Sequence, residues 1–535
     1  MTDRLTPEDR VTQLLAEYDA DEMVLAELLC DRHPADDVAF AIIEPDLSSK
    51  DLTYGELGER SKKVAAALVA MGVQPGDRVA TLMGKSEAYV ETVLGLWRAG
   101  AVHVPLFTAF APAAIALRLA GSGTKVVISD ADQRSKLEPG EDMPADAPWQ
   151  TVVAGEIPGY QEADPADAPV VTCTGSTEFV RLFTSGTTGD PKGVPIPVRA
   201  IASFQTYLEY GLYVTEDDVF WNAADPGWAY GLYYAIITPM AAGRRSLLLH
   251  AGFSPELTWK VASTFGVTNL AAAPTVFRSL RSAGLPIPED LVIKRMTSAG
   301  EPLNPEMVTW AEQTIGTAIH DTYGQTELGM CGINGWHPDV AAPVQEGSMG
   351  RPQPGWTMTV LKNTADEIAD PGESGRIAVD LEKTPAMWFT GYVDAPEKTA
   401  ERFSRDGRWY ITGDAGRRDD DGYIYFAARA DDVIIMAGYR ISPFEVESVL
   451  VGDPNVVESA VIGVPDELRG EVVEAYVVLK PGVQGDDAMV ASLQQRVKNK
   501  LAAHVFPRRI HFVDELPKTP SGKIQRFVLR ERAAK

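Results

Sequence analysis

A chain of 535 residues is beyond the size at which one hydrophobic core stops growing, so two or more structural units are expected. The 45% hydrophobic and 23% charged fractions are those of an ordinary globular protein, and no stretch has the unbroken apolar length needed to cross a bilayer. The 75 acidic against 49 basic residues give a formal charge of −26, which repels nucleic acid and anionic lipid at long range and leaves any polyphosphate ligand to local groups.

The opening segment MTDRLTPEDRVTQLL mixes acidic and basic residues and lacks an apolar core ending in a small-residue cleavage site, so a cytoplasmic protein is expected. Cys30, Cys173 and Cys331 are few, odd in number and scattered, which argues against a disulfide framework or a cysteine-rich zinc site.

Up to about residue 180 helix-like and strand-like segments alternate. LTYGELGERSKKVAAALVAMGV carries apolar residues at helical spacing, GDRVATLM reads as a strand, and SEAYVETVLGLWRAGAVHVPL reads as helix, glycine turn and strand. That rhythm predicts an α/β domain with largely parallel strands. EPGEDMPADAPW and GYQEADPADAPV, rich in Pro, Asp and Glu, read as surface loop, after which the alternation resumes to roughly residue 426. A charged turn, a strand, a glycine turn and an amphipathic helix then open a small α+β unit. It continues with the strands AVIGVP and EAYVVLK and the helix DAMVASLQQRVKNKLAA. The expected division is a large N-terminal domain over 1–428, a hinge at 429–432 and a small mobile domain over 433–535.

The segment FTSGTTGDPKG, Phe183 to Gly193, follows a short apolar run. Its glycines let backbone N–H groups converge, its hydroxyls add donors and Lys192 adds positive charge, which together suit phosphate. GxxxxGK[ST] is absent, which disfavours a P-loop kinase or GTPase, and composition alone leaves a plain surface turn equally open. The seven histidines form no metal-ligand pair and no nucleophilic triad stands out.

Six further motifs follow in order: ADPGWAYG (Ala224 to Gly231), SAGEPLNP (Ser298 to Pro305), HDTYGQTELG (His320 to Gly329), WYITGD (Trp409 to Asp414), ARADDVIIMAGYRISPFEVE (Ala428 to Glu447) and LPKTPSGKIQR (Leu516 to Arg526). The ordered set resembles the adenylate-forming superfamily over essentially the whole chain. The likeness is greatest to the acetyl-, propionyl- and medium-chain acyl-CoA synthetase branch. The resemblance implies a multi-subdomain α/β adenylation domain and the small mobile domain. The implied activity is activation of a small carboxylic acid by ATP and Mg2+ as an acyl-adenylate, then transfer to coenzyme A.

Residue by residue, the resemblance implies that Thr184, Ser185, Gly186, Thr187, Thr188 and Lys192 grip the triphosphate. Gly300, Glu301, Pro302, Asp321, Thr322 and Tyr323 would flank adenine, with Thr326 alongside. Glu327 is implied for magnesium, Asp414 for both ribose hydroxyls and Arg429 for ribose or phosphate. Lys523 would hold the attacking carboxylate and the α-phosphate while charge builds between them. Outside this context Tyr323 would read as core, Asp414 as solvated and Lys523 as exposed.

Asp431 is the implied hinge residue, with Gly438 lining a pantetheine tunnel and Arg440 contacting a phosphate of coenzyme A. Tyr439 departs from the smaller or polar residue of acetate enzymes.

The acyl pocket is assigned to Trp228, Ala229, Tyr230, Ala299 and Gly324. Acetate-specific members carry tryptophan at the Gly324 position and valine at the Ala299 position, so an acid larger than acetate is expected, of roughly three to ten carbons. A dicarboxylic acid is disfavoured. Acetate itself, an acyl-AMP ligase that loads a carrier protein, and a non-catalytic homologue are the alternatives. The sequence leaves homo-oligomerisation and acylation of Lys523 open.

Overall fold

The computed structural model describes residues 5–184, 191–429, 431–436, 439–466, 469–502, 505–519 and 523–534. The expected alternation is realised in two sheets. Six strands run in the order Gln150–Val153, Thr124–Ser129, Arg78–Leu82, Val102–Pro105, Glu178–Thr184, Lys192–Pro197, parallel except for the last pair. A nine-stranded sheet has a parallel centre and antiparallel edges. Both carry the apolar runs expected of strands covered on two faces; Val38–Ile43, VAFAII, is buried at every position after the first.

The helices show why their sequences fold as they do. Tyr54–Ala70 starts at a capping box in which Thr53 accepts from the Glu56 N–H and Glu56 reaches back to the Thr53 N–H. It buries Leu57, Ser61, Val64 and Leu68, a stripe of helical spacing. Glu87–Arg98, capped by Ser86, is buried at every position from Tyr89 onward. Inside it, Arg98 is 7% exposed and donates to Asp31 Oδ2 at 2.7 Å and Ser61 Oγ at 2.8 Å, so its charge is paired.

An antiparallel four-stranded sheet follows, Met358–Leu361, Gly375–Asp380, Trp409–Arg418 and Ile424–Arg429. Its last strand ends at Arg429, paired with Asp414. The next strand, Ile434–Met436, belongs to a separate five-stranded sheet with its own apolar core. The helix Pro443–Val451 seats this small unit on the larger one. Ser442 Oγ donates to the Ala427 carbonyl at 2.5 Å, Asn304 Nδ2 donates to Ser448 Oγ at 3.2 Å, and the Phe426 and Phe444 rings lie 6.2 Å apart. Among the described residues no helix is long and apolar enough to cross a membrane.

Candidate active site

A cavity of about 570 Å³ opens where the four-stranded sheet, the large sheets and the small domain meet. Thr184, Lys192, Trp228, Ala229, Gly300, Glu301, Pro302, Asp321, Thr322, Tyr323, Gly324, Thr326, Glu327, Asp414, Arg429 and Lys523 all line it. Residues up to 339 positions apart in sequence, Thr184 and Lys523, thus face one space. Ser185, Gly186, Thr187, Thr188 and Gly438 lie outside the described residues.

At one end a cationic group forms. The Lys192 ammonium lies 5.0 Å from the Tyr392 ring centre, and burial together with nearby Arg402 and Lys398 lowers its pKa. Tyr392 donates its hydroxyl proton to Glu327 Oε1 at 2.6 Å and accepts from Arg402 Nε at 3.1 Å. Positive charge gathered around one buried carboxylate suits a polyphosphate that brings its own cation. Among the described residues no group of three or more His, Cys, Asp or Glu could hold a metal without such a ligand. Glu327 retains lone pairs beyond the bond to Tyr392, so a magnesium ion carried by a nucleotide fits this donor set.

On the adjoining wall Asp321 is partly buried, its Oδ1 enclosed, and desolvation pushes its carboxyl up to about 8. When protonated, a carboxyl held up in this way can donate as well as accept. Its Oδ2 accepts weakly from the Leu303 N–H at 3.4 Å and Oδ1 has no partner. Gly300, beside it, has φ +99°, a conformation that glycine adopts without strain. Glu301 is fixed by Thr275 Oγ1 and Arg278, each at 2.7 Å.

Asp414 lies at the end of the strand pair and is buried. Burial raises its pKa, opposed by the Arg429 charge and by hydrogen bonds from Tyr323 and Gln325. Lys523 reaches the cavity from the small domain. The residue as a whole is exposed yet stands amid dense protein, and that desolvation lowers its pKa, while Glu301 acts in the opposite sense. The small domain is therefore docked with Lys523 facing Glu301, Asp414 and Glu327.

Three expectations are corrected by the packing. Tyr230 is buried in a tyrosine cluster behind the wall, its hydroxyl 3.1 Å from that of Tyr207, and Ala299 is 1% exposed in the core; neither lines the cavity. Gly324 does line it, but a Cβ there would lie 2.2 Å from the Gly329 carbonyl oxygen and 2.5 Å from the Met330 methyl. The missing side chain thus makes room for the adjacent strand Gly329–Ile333, so the inference of free acyl space at this point fails. Arg440, expected at a coenzyme A phosphate once the small domain has turned, is exposed on that domain's hairpin and is not part of the cavity lining in this arrangement. Asp431 lies between the two sheets, its carboxylate 3.9 Å from Arg429 Nε.

Sequence reasoning missed Gln325, Tyr392, Arg402, Arg278 and Arg526. Gln325 stood inside a quoted motif, and Arg526 closed another; Tyr392, Arg402 and Arg278 fall in stretches with no distinguishing pattern.

Comparison with known proteins agrees with this geometry. Residues 27–392 match the family described as AMP-binding enzyme, and residues 445–523 match AMP-binding enzyme C-terminal domain. The chain is 36% identical over 492 residues to the acetyl-coenzyme A synthetase of Bacillus subtilis (strain 168), covering 89% of this chain and 84% of that protein. It is 35% identical over 503 residues to the mitochondrial acyl-coenzyme A synthetase ACSM3 of Rattus norvegicus, covering 90% and 84%. Among solved structures, a Brucella canis acyl-CoA synthetase is 42% identical with a TM-score of 0.73, covering 98% of this chain and 97% of that one. ATP-bound MatB from Rhodopseudomonas palustris is 30% identical with a TM-score of 0.83, covering 95% and 99%. A docked lysine, a buried carboxylate and a cationic end of the cavity thus lie in a chain that belongs to the AMP-binding enzyme family, in its AMP-forming acyl-CoA synthetase branch.

Proposed function

We propose that the enzyme activates a short- to medium-chain monocarboxylic acid larger than acetate, using ATP with Mg2+ and then coenzyme A, in the cytoplasm. In the first half-reaction a carboxylate oxygen attacks the α-phosphorus, the bond to the β-phosphate oxygen breaks and pyrophosphate leaves. In the second, the thiol sulfur attacks the acyl carbonyl, its proton passes to solvent and AMP departs with the electrons of the acyl–oxygen bond. Magnesium, when bound with the nucleotide, supplies charge to the leaving phosphates, and Glu327 would hold it.

The observation that carries this reading is the convergence of Lys523 with Asp414, Glu327 and Lys192 on one cavity at the domain junction. A compact ammonium on a flexible stem suits a site where two anions must meet. The preference over acetate is supported by the apolar part of the lining, where Leu182, Phe183, Trp228 and Ala229 offer more contact than a methyl group uses. The cytoplasmic reading is supported by three free cysteines, Cys30, Cys173 and Cys331.

A screen of straight, branched and aromatic carboxylic acids, read as pyrophosphate release dependent on coenzyme A, tests it. The expected result is a higher kcat/KM for a longer acid than for acetate. Acetate as the best substrate would overturn the size preference. Pyrophosphate release with a carrier protein but not with coenzyme A would overturn the choice of acceptor.

A further inference from the structure

Lys523 belongs to a short antiparallel pair of segments near the end of the chain. The Thr519 N–H donates to the Lys523 carbonyl at 2.8 Å, the Gln525 N–H donates to the Pro517 carbonyl at 2.8 Å, and Lys518 pairs with Ile524. Such bonds tie the two segments to each other, but a lone hairpin is marginal and has to be fastened to something larger.

Two ion pairs do this. Lys518 Nζ donates to both oxygens of Glu458, each at 2.7 Å. Arg526, three residues after Lys523, donates from Nη2 to Glu447 Oε1 and Oε2, each at 2.7 Å, and from Nε to Oε1 at 3.2 Å. Glu447 is 5% exposed, and its Oε1 also accepts from the Val461 N–H at 2.7 Å. Its place is therefore set by the helix Pro443–Val451 and the strand Val456–Asp466 together. The remaining nitrogen of the guanidinium, Nη1, lies 3.7 Å from Asp432 Oδ2, and Asp432 Oδ1 accepts from Arg530 Nη1 at 2.7 Å.

One guanidinium thus joins the base of the hairpin, a helix of the small domain and the segment that connects the domains. Enclosed ion pairs add little net stability over apolar packing, whereas a planar fork fixes direction as well as distance. Direction is what an ammonium that must meet two anions requires.

We infer that Arg526 is a positioning residue: held by Glu447 and Asp432, it fixes the base of the hairpin so that Lys523 enters the adenylation site in one orientation. This rests on the proposed role of Lys523. Asp432 follows the proposed pivot at Asp431, so the whole clamp travels with Lys523 when the small domain turns and serves only the half-reaction in which Lys523 is docked.

The test is a double-mutant cycle on acyl-AMP formation by the full-length enzyme. It compares Lys523→Ala, Arg526→Met, Arg526→Lys and the two combinations with Lys523→Ala, with folding checked by thermal unfolding. Arg526→Lys is included because methionine leaves the Glu447 charge unpaired, whereas lysine keeps the charge and gives up the fork. Alone, Arg526→Met should lower the kcat of adenylation by about 30-fold and Arg526→Lys by about tenfold. The KM for ATP and the transfer of supplied acyl-AMP to coenzyme A should both stay within about threefold. In the Lys523→Ala background either change should cost less than about twofold more, since a residue that acts through Lys523 has nothing left to position. The same loss in both backgrounds would overturn the inference, as would equal losses in the two half-reactions or undiminished adenylation by the folded Arg526 variants. Full adenylation by Lys523→Ala would overturn the reading of Lys523, and the inference with it.

Discussion

Lys523 is the residue whose proposed role depends most on its surroundings. Its ammonium is needed charged, since its task is to hold two anions while charge accumulates between them. Lys523→Ala is expected to lose about 3 to 4 kcal/mol of transition-state stabilisation, or two to three orders of magnitude in adenylation. Thiolation of supplied acyl-AMP should be retained, and equal loss in both half-reactions would sink the role. The pH dependence follows from the protein crowded around that ammonium. Desolvation lowers the Lys523 pKa, Glu301 pulls it back and Arg429 pushes it further down. The charged form is present below that pKa and lost as pH rises through it. The alkaline limb of kcat/KM for ATP, which reports groups of the free enzyme, should therefore fall at a lower pH than an unperturbed lysine would give. Lys523→Arg, slower but charged throughout, should lack that limb. The same limb in both enzymes would assign it to another group.

At the scale of elements, glycine in the helix Glu87–Arg98 is a case where propensity and packing disagree. Gly95 sits in the helix interior, where alanine is better by about 1 kcal/mol. A Cβ there would lie 2.5 Å from the Val64 Cβ and 2.9 Å from the Ser61 carbonyl oxygen, both on the helix Tyr54–Ala70. Because the obstacle includes backbone, the contact outweighs the propensity, and Gly95→Ala should destabilise by about 1 to 3 kcal/mol in denaturant unfolding. A more stable variant would show that the two helices can part freely. This close approach was not legible in the sequence, although both helices were. Periodicity and caps located Tyr54–Ala70 and Glu87–Arg98, and the parallel strands Arg78–Leu82 and Val102–Pro105 followed from apolar runs between glycine turns. What periodicity does not carry is which neighbour fills a face. For the same reason Tyr230, next to Ala229 in one motif, was expected in the pocket but turns into the core, and Gly324 was read as empty space that the Gly329–Ile333 strand occupies. Motif residues that bear charge were legible because their chemistry demands those types. Tyr392 and Arg402 were not, since Tyr392 reaches Glu327 from 65 positions away and Arg402 acts on it through the Tyr392 hydroxyl.

For the whole molecule, the docked orientation poses a geometric problem that one arrangement cannot solve. The small domain presents Lys523 to the cavity, whereas Tyr439 and Ile435 on its hairpin are 57% and 50% exposed, and Arg440 beside them is exposed and outside the cavity lining. If that hairpin serves the second half-reaction, the domain has to turn about the segment between Arg429, which closes the four-stranded sheet, and Ile434, which opens the next. Among the described residues the contacts that must break include Ser442 to Ala427, Asn304 to Ser448 and the Phe426–Phe444 ring pair. Inter-domain interfaces of this kind favour relative motion, and the backbone rotation has to be absorbed by a few residues of the connecting segment. Asp431 is the proposed one. Its nearest charge is Arg429 at 3.9 Å, whereas Asp432 is fastened to Arg530 at 2.7 Å and to Arg526 at 3.7 Å. Proline at 431 holds φ near about −65° and restricts the residue before it, so a large rotation there becomes inaccessible. Asp431→Pro is therefore expected to keep adenylation within about threefold while slowing acyl transfer to coenzyme A by at least about a hundredfold. Single-turnover measurement of acyl-AMP formation and of its consumption by coenzyme A separates the two steps. Undiminished acyl transfer in this variant would move the pivot to another residue, and loss of both steps in a folded protein would show that Asp431 shapes the docked state itself.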